Sequence, residues 1–454
     1  MQRRLFWPTT LTASAVVLSV LPASAAQLQV LLPLGRTAYQ TNEMIDVSVV
    51  RSDAAPLAGG TLIMTVTGAD NSKMAFKFPT KGGAARATEN LHLNGWLLRP
   101  QKYTIDVTSD GTTAQTALTV YSHIRKSSYR TIHWGGPSGE AMVPEGENGM
   151  GFNLILNSKI SDQEPSIQAG ADVMGLTLMG GCHQHDCKID LDWSDPNVYI
   201  GAMQRGMDNA FQLRTLPNAI GAHLHDEPGL TWAKHPHTGE FGPNDIAQQR
   251  EAYARAFGEE PVWWDQVNTK DPAQYEKWKQ VSDFKLGLMD AFWKATNENV
   301  SRLKPGFLAV TQSQYGWSNL YSGYYFNVAR SLPVISGHGG YNDFWLRNMN
   351  PSFFLEMALP RQLDKPTWYL PEWYNAMSAD AFREEHNLSF ITGIQGMSTP
   401  PGIGPKAPAA PAVTEANQLY QRLGTIFTSP DYTRQDVTIL SSKSTQIYNN
   451  RIFA

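Results

Sequence analysis

Two short stretches of the sequence carry carboxylates where chemistry could use them. One reads Ala219-Ile-Gly-Ala-His-Leu-His-Asp-Glu-Pro-Gly229, the other Thr367-Trp-Tyr-Leu-Pro-Glu-Trp-Tyr-Asn375. Each starts as a run of strand character and ends in a glutamate, Glu227 or Glu372. Alternation along an extended strand places His223, His225 and Glu227 on one face, and Leu224 and Asp226 on the other. It likewise groups Trp368, Leu370 and Glu372. The face with two histidines is the better candidate to line a site, so Glu227 is preferred to Asp226 as the reacting carboxylate. Two carboxyl groups across a pocket walled by aromatics can cleave an acetal. One protonates the departing oxygen, and the other attacks the anomeric carbon or activates water to do so. Either glutamate alone reads equally well as a loop carboxylate in structural hydrogen bonds; the pair favours an enzyme.

Weaker candidates recur after other apolar runs. His133 and Trp134 end one run; Gln314, Tyr315 and Trp317 follow a second; His338, Tyr341 and Asn342 follow a third. Trp373 stands beside Glu372, and Trp232, Trp345 and Tyr374 could serve as stacking platforms. Each alone fits a core or surface aromatic as well as a ligand contact. Their clustering after strands gives them weight. The only two cysteines, Cys182 and Cys187, lie in Gly-Gly-Cys-His-Gln-His-Asp-Cys. A disulfide across this short loop, worth roughly 2 kcal/mol on the chain-entropy model, is the preferred reading. Cys182, His183, His185 and Cys187 are too crowded to converge on one zinc ion, whose sites use wider spacings.

The elements that would position these residues follow from pattern. Residues 26–122 hold short alternating runs at 28–32, 44–50, 61–66, 103–107 and 116–120, separated by Gly, Asp, Asn and Pro. That spacing predicts a small immunoglobulin-like β-sandwich without a cysteine pair. From about 123 the texture changes to apolar runs alternating with amphipathic stretches. Strands are expected at 131–134, 153–156, 173–178, 220–224, 308–312, 333–336, 367–370 and 390–394. The clearest helices are 247–257 and 275–303, the second stopped by Lys304-Pro305-Gly306. Eight strands with helices between them predict a (β/α)8 barrel over 123–430, whose chemistry sits at the C-terminal ends of its strands. A closing helix is expected at 415–427, and 431–454 reads as the start of a further domain, cut short.

Residues 1–25 read as a secretory signal peptide. Arg3 and Arg4 precede a short apolar run, and Ala23-Ser24-Ala25 matches the cleavage pattern. The expectation is an exported protein, periplasmic or extracellular, without a membrane span after cleavage. A net charge of -4 argues against a nucleic-acid partner. With 17% charged residues and 13 tryptophans, the chain suits a neutral hydroxylated ligand, since rings stack on the apolar faces of sugars. The expected partner is therefore a carbohydrate substrate, and no cofactor is called for.

With a carboxylate after the fourth strand and another after the seventh, the chain resembles the retaining enzymes of glycoside hydrolase clan A. Asp226-Glu227-Pro228-Gly229 and Pro371-Glu372-Trp373 look like its agarase and family 42 β-galactosidase branches. The resemblance implies a barrel enzyme acting on a polysaccharide or oligosaccharide, with Glu227 as general acid/base and Glu372 as nucleophile. One position departs from the pattern. The clan usually has Asn before the acid/base, and this chain has Asp226, which accepts but cannot donate and tends to raise a neighbouring carboxyl's pKa. Two rivals remain. His223-x-His225 with Asp226 could hold a metal, as in amidohydrolases. Those enzymes carry the pair on strand one and an Asp after the last strand, unlike this chain. A non-catalytic carbohydrate-binding barrel is the other, and the two intact glutamates speak against it.

Overall fold

A computed structural model describes residues 26–123, 127–134, 149–176, 208–226, 247–262, 267–268, 270–314, 331–339, 365–371, 378–391, 393–399 and 404–427. The chain forms two compact units: 1–35, 44–93 and 101–119 in the first, and 36–43, 94–100 and 120–454 in the second.

The first unit is built of antiparallel strands. β1 (Gln27–Leu31), β3 (Met44–Ser52) and β6 (Arg86–Asn94) form one sheet. β8 (Thr112–Tyr121), β7 (Gln101–Ser109), β4 (Gly60–Gly68) and β5 (Lys73–Thr80) are consecutive neighbours in another. The short β2 (Ala38–Gln40) is counted with the second unit. Alternate residues are buried, as a half-solvated sheet requires: Ile45, Val47 and Val49 on β3, and Leu62, Met64 and Val66 on β4. The expected runs at 44–50, 61–66, 103–107 and 116–120 lie on strands, and that at 28–32 does so up to Leu31. β5 and β6 escape the sequence pattern because their exposed alternate positions carry Lys73, Lys77, Arg86 and Asn90.

The second unit contains a closed barrel of eight parallel strands. They are β9 (Arg130–His133), β10 (Leu154–Ser158), β11 (Asp172–Leu176), β12 (Ala219–Asp226), β13 (Leu308–Gln314), β14 (Ile335–Gly339), β15 (Thr367–Pro371) and β16 (Gly396–Thr399). They pair in chain order, and β16 closes on β9. Around them lie α1 (Gln163–Gln168), α2 (Asp208–Leu213), α3 (Ala247–Phe257), α4 (Pro272–Leu303), α5 (Ala379–Ile391) and α6 (Ala410–Phe427).

Seven of the eight expected strands match. The eighth does not: Phe390 and Ile391 belong to α5, and the strand begins at Gly396. A β-branched and aromatic run reads as a strand in isolation. Here Phe390 packs on Tyr420 and Tyr129, with centroids 4.7 and 5.7 Å away, and this contact holds it in the helix. Gly393, at φ +83°, then turns the chain in the left-handed conformation that glycine adopts readily.

α4 starts at an N-cap, Asp271, whose carboxylate accepts from Ala273 N–H at 3.0 Å, with Pro272 at the first helical position. At its other end the Lys304 ammonium donates to the carbonyls of Leu216 (2.8 Å), Pro217 (3.2 Å) and Ala219 (2.8 Å). This ties the entry of β12 to the end of α4. Partial burial lowers the Lys304 pKa. Lys304→Met keeps the stem and removes the donors, so it should destabilise the protein by about 1–3 kcal/mol. Urea unfolding reads this directly, and an unchanged midpoint would show that the cap contributes nothing.

His386 of α5 is buried against Phe382, with ring centroids 3.7 Å apart, and stacks on Tyr420 of α6 at 5.7 Å. Burial holds its pKa well below the usual histidine value. The unfolded chain therefore binds the proton more tightly than the folded one. Stability is complete above about pH 6.5 and is lost as pH falls below it, by up to roughly 1.4 kcal/mol per pH unit. Melting curves from pH 7.5 down to 5 should fall less steeply for His386→Leu than for the wild type. Parallel curves would mean the imidazole does not control acid stability.

Candidate active site

The barrel's two faces can be told apart by what packs on them. Ile155, Val173, Ala219, Ala222 and Ala309 share a buried cluster with Ala210 and Leu213 of α2, Trp293 and Val300 of α4 and Phe382 of α5. Ile335, Tyr369 and Met397 pack with Tyr420 of α6 and Phe390 of α5. These strand positions form the outer row. Ile132, Leu154, Leu156, Met174, Val310, Trp368 and Leu370 form a cluster that holds no helix residue, with Ile220 and Leu308 against it. They form the inner row.

The inner row is bounded below by charge. Arg130, first residue of β9, pairs with Asp172, first residue of β11, at 2.7 Å. Above the apolar layer lie two residues expected at the site. Trp134 follows β9, held by its N–H donating to Thr399 carbonyl at 3.1 Å. Its indole meets the His223 ring edge-on, centroids 4.7 Å apart at 80°, although they come from the first and fourth strands. Such contact between non-neighbouring strands occurs only through the barrel interior. His223 is fully buried. His133, by contrast, lies edge-on to Phe152 of the helix-side cluster, at 5.0 Å, and so belongs to the outer layer.

β12 is irregular twice, and both irregularities bear on the carboxylates. Against β11 the register slips at Ile220, with Val173 opposite Ala219 but Met174 opposite Gly221. Gly221 and His223 thereby join the inner row, opposite Leu308 and Val310. Against β13 it slips again at Leu224: His223 is opposite Val310, His225 opposite Thr311 and Asp226 opposite Gln312. Unbroken alternation from His223 to Glu227 is therefore not what the strand does. An inserted residue resets the faces. The backbone register thus places His225 beside Thr311 and Asp226 beside Gln312.

On β15 alternation is intact. Ile335 to Gly339 run opposite Thr367 to Pro371 without a shift, and Trp368 and Leu370 are both inner-row residues. Glu372, Glu227, Tyr315, Trp317, Tyr341 and Trp373 themselves lie outside the described residues, as do Cys182 and Cys187. His338 is on β14, opposite Leu370 on one side and Gln314 on the other.

Two strand positions were not anticipated from sequence. Gln312 lies opposite both Asp226 and Ser336, and Ser336, which is buried, lies opposite Trp368. The signal was present in the alternate series Val310-Gln312-Gln314, a barrel strand that turns polar toward its C-terminal end.

No family model matches the chain, and no curated protein matches it by sequence. Solved structures do align with it. A β-glucuronidase from Parabacteroides merdae aligns at 11% identity and a TM-score of 0.40, over 85% of this chain and 49% of that one. A β-galactosidase from the psychrophilic Marinomonas ef1 gives 11% and 0.44, over 66% and 61%. An endo-β-1,4-mannanase from Thermotoga petrophila gives 10% and 0.31, over 65% and 77%. The chain thus spans about half the length of the first of these. Likeness at this level says nothing of activity, and the barrel stands on its own strand pairing.

Proposed function

We propose that the protein is a glycoside hydrolase that cleaves a polysaccharide or oligosaccharide by a retaining mechanism, with Glu227 as general acid/base and Glu372 as nucleophile. The reading rests on one observation above all. The carboxylate stretches follow the C-terminal ends of β12 and β15, which are the fourth and seventh strands of a closed parallel barrel. In barrel enzymes that end carries the chemistry. Glu227, protonated, would give its proton to the leaving oxygen while Glu372 attacks the anomeric carbon. Water, deprotonated by Glu227, would then release the sugar with its configuration retained. The indole of Trp134, just past the C-terminal end of β9, would offer its ring to the sugar's C–H face.

Incubation with a broad panel of glycans, followed by NMR of the first-formed anomer, tests this. Turnover with retention that survives a chelator is expected. Inversion would overturn the covalent mechanism, and loss of activity on chelation would restore the metal reading. We also propose that residues 1–25 direct export, that 26–122 form an immunoglobulin-like sandwich, and that Cys182 pairs with Cys187. Thiol titration of the unfolded, unreduced protein should find no free thiol, whereas two thiols would refute the pairing.

A further inference from the structure

We infer that Trp96 is a stacking site for a sugar ring of a polysaccharide chain, separate from the end of the barrel that carries the carboxylate stretches. The inference takes its class of ligand from the glycosidase reading and its place from geometry. Among the large apolar side chains of the described residues, Trp96 and Leu97 are the most exposed, at 70% and 69%. They are neighbours on a short turn, Gly95–Leu97, and the next residue, Leu98, is buried. The turn is firmly held. Trp96 N–H donates to the side-chain oxygen of Asn94 at 3.0 Å, Gly95 N–H to the Glu43 carbonyl at 2.8 Å, and Leu98 N–H to the Gly95 carbonyl at 2.9 Å. Gly95 presses so closely on 40–43 that a Cβ would stand 2.7 Å from the Glu43 carbonyl oxygen, 2.9 Å from that of Thr41 and 3.0 Å from that of Gln40. The indole is exposed because its backbone is fixed in that position. A ring presented in this way loses little freedom when a ligand covers it.

The support beneath the turn is fixed too. The Glu43 carboxylate accepts from the Arg36 guanidinium at 2.8 Å and from the Gln40 backbone N–H at 2.7 Å. The Gln40 side chain donates to the Ile167 carbonyl at 3.0 Å. Ile167 lies at the end of α1, just before β11 begins, so this support meets the barrel at the N-terminal end of its strands. Size and charge then choose the occupant. A stable protein interface buries about 800 Å² on each partner, far more than two side chains on one turn can offer. An anionic lipid surface is held by clusters of about four to eight cations, and the stretch 94–100 has one, Arg99. A pyranose needs neither: its C–H face matches an indole in size and carries no charge. On a polymer, this contact adds to whatever the barrel holds, because the second contact is intramolecular.

The test uses the full chain in native gels cast with agarose, β-galactan, β-mannan or β-glucan. In the gel that retards the wild type most, Trp96→Ala should bind about threefold to tenfold more weakly, and Trp96→Phe, which keeps a ring, should lose less. Phe211→Ala removes an exposed ring elsewhere and should migrate as the wild type does. On a small aryl glycoside, kcat/KM of Trp96→Ala should stay within about twofold, because the indole is outside the catalytic mouth. Equal retention of Trp96→Ala and wild type, no retention of the wild type in any gel, or a matching loss on the aryl glycoside overturns the inference. A wild-type dimer that Trp96→Ala splits in sedimentation would make the occupant a second copy and overturn it as well. The glycosidase reading stands or falls apart from this. Turnover without Trp96-dependent retention keeps that reading and sinks the inference, and Trp96-dependent retention without turnover does the reverse.

Discussion

Glu372→Gln should abolish turnover of every substrate, with kcat lowered on the order of 10⁴-fold or more. The substitution keeps size and polarity, turns one acceptor oxygen into an amide donor and removes the attacking anion, so the protein should melt close to the wild type. Azide should not restore a product of retained configuration, because the first displacement is missing. Glu227→Ala should behave differently. An activated aryl glycoside needs little help in leaving, so the glycosyl-enzyme forms and then stalls, because no base deprotonates the water. Azide needs no base and should restore turnover with retention. Asp226→Asn should keep more activity than either. The register slip at Leu224 makes this third variant decisive, since alternation from His223 does not carry through to Asp226. If Asp226→Asn is inactive while Glu227→Ala turns over normally, the acid/base is Asp226. If both glutamate variants stay active, the mechanism is wrong altogether.

The barrel was legible where its strands are apolar on both faces. Runs such as Ala219 to Leu224 and Leu308 to Gln312 lie between a helix layer and a lumen layer, and their composition says so. β16 was not, because Gly-Met-Ser-Thr carries no apolar run, and the stronger run just before it is claimed by the α5–α6 aromatic contact. Helix ends were read well where a chemical stop exists. The Pro-Gly after Lys304 ends α4 as expected, while its start lies three residues earlier than the periodicity suggested, at the Asp271 cap. The site divides the same way. The placing of the two carboxylate stretches on the fourth and seventh strands could be read from strand order. The register slip ahead of Asp226 could not. A bulge adds one residue without changing composition, and His-Leu-His reads as clean alternation until the neighbouring strand's register is known. Ser336, which is buried, was missed for a related reason: a polar residue inside an expected strand looks like a solvent-facing one until the barrel closes around it.

Gly221→Ala should destabilise the protein by about 3 kcal/mol or more, and Gly221→Val should prevent folding. Gly221 lies between Met174 and Leu308 in the inner row, immediately after the first slip in β12. A Cβ there would run into the carbonyl oxygen of Leu308, would stand 2.8 Å from its nitrogen, and would meet Cε of Met174 at 2.8 Å. The methionine can swing away, but the backbone of β13 cannot without breaking its ladder. The sign of the effect is what makes the test sharp. Where an alanine fits, replacing glycine stabilises by about 0.4–1 kcal/mol through the unfolded chain, so a neutral or stabilising result would show that the strands have room. Adding Met174→Ala to Gly221→Ala should not restore stability if the obstruction is backbone. Function should suffer even below the melting point. Separating β12 from β13 at this level shifts the strand that leads to Asp226 and Glu227, and an error of about 1 Å at a reacting group can cost on the order of a hundredfold in rate. A Gly221→Ala protein that folds, melts lower and yet retains full kcat would mean that the carboxylates are positioned by something other than the register of β12.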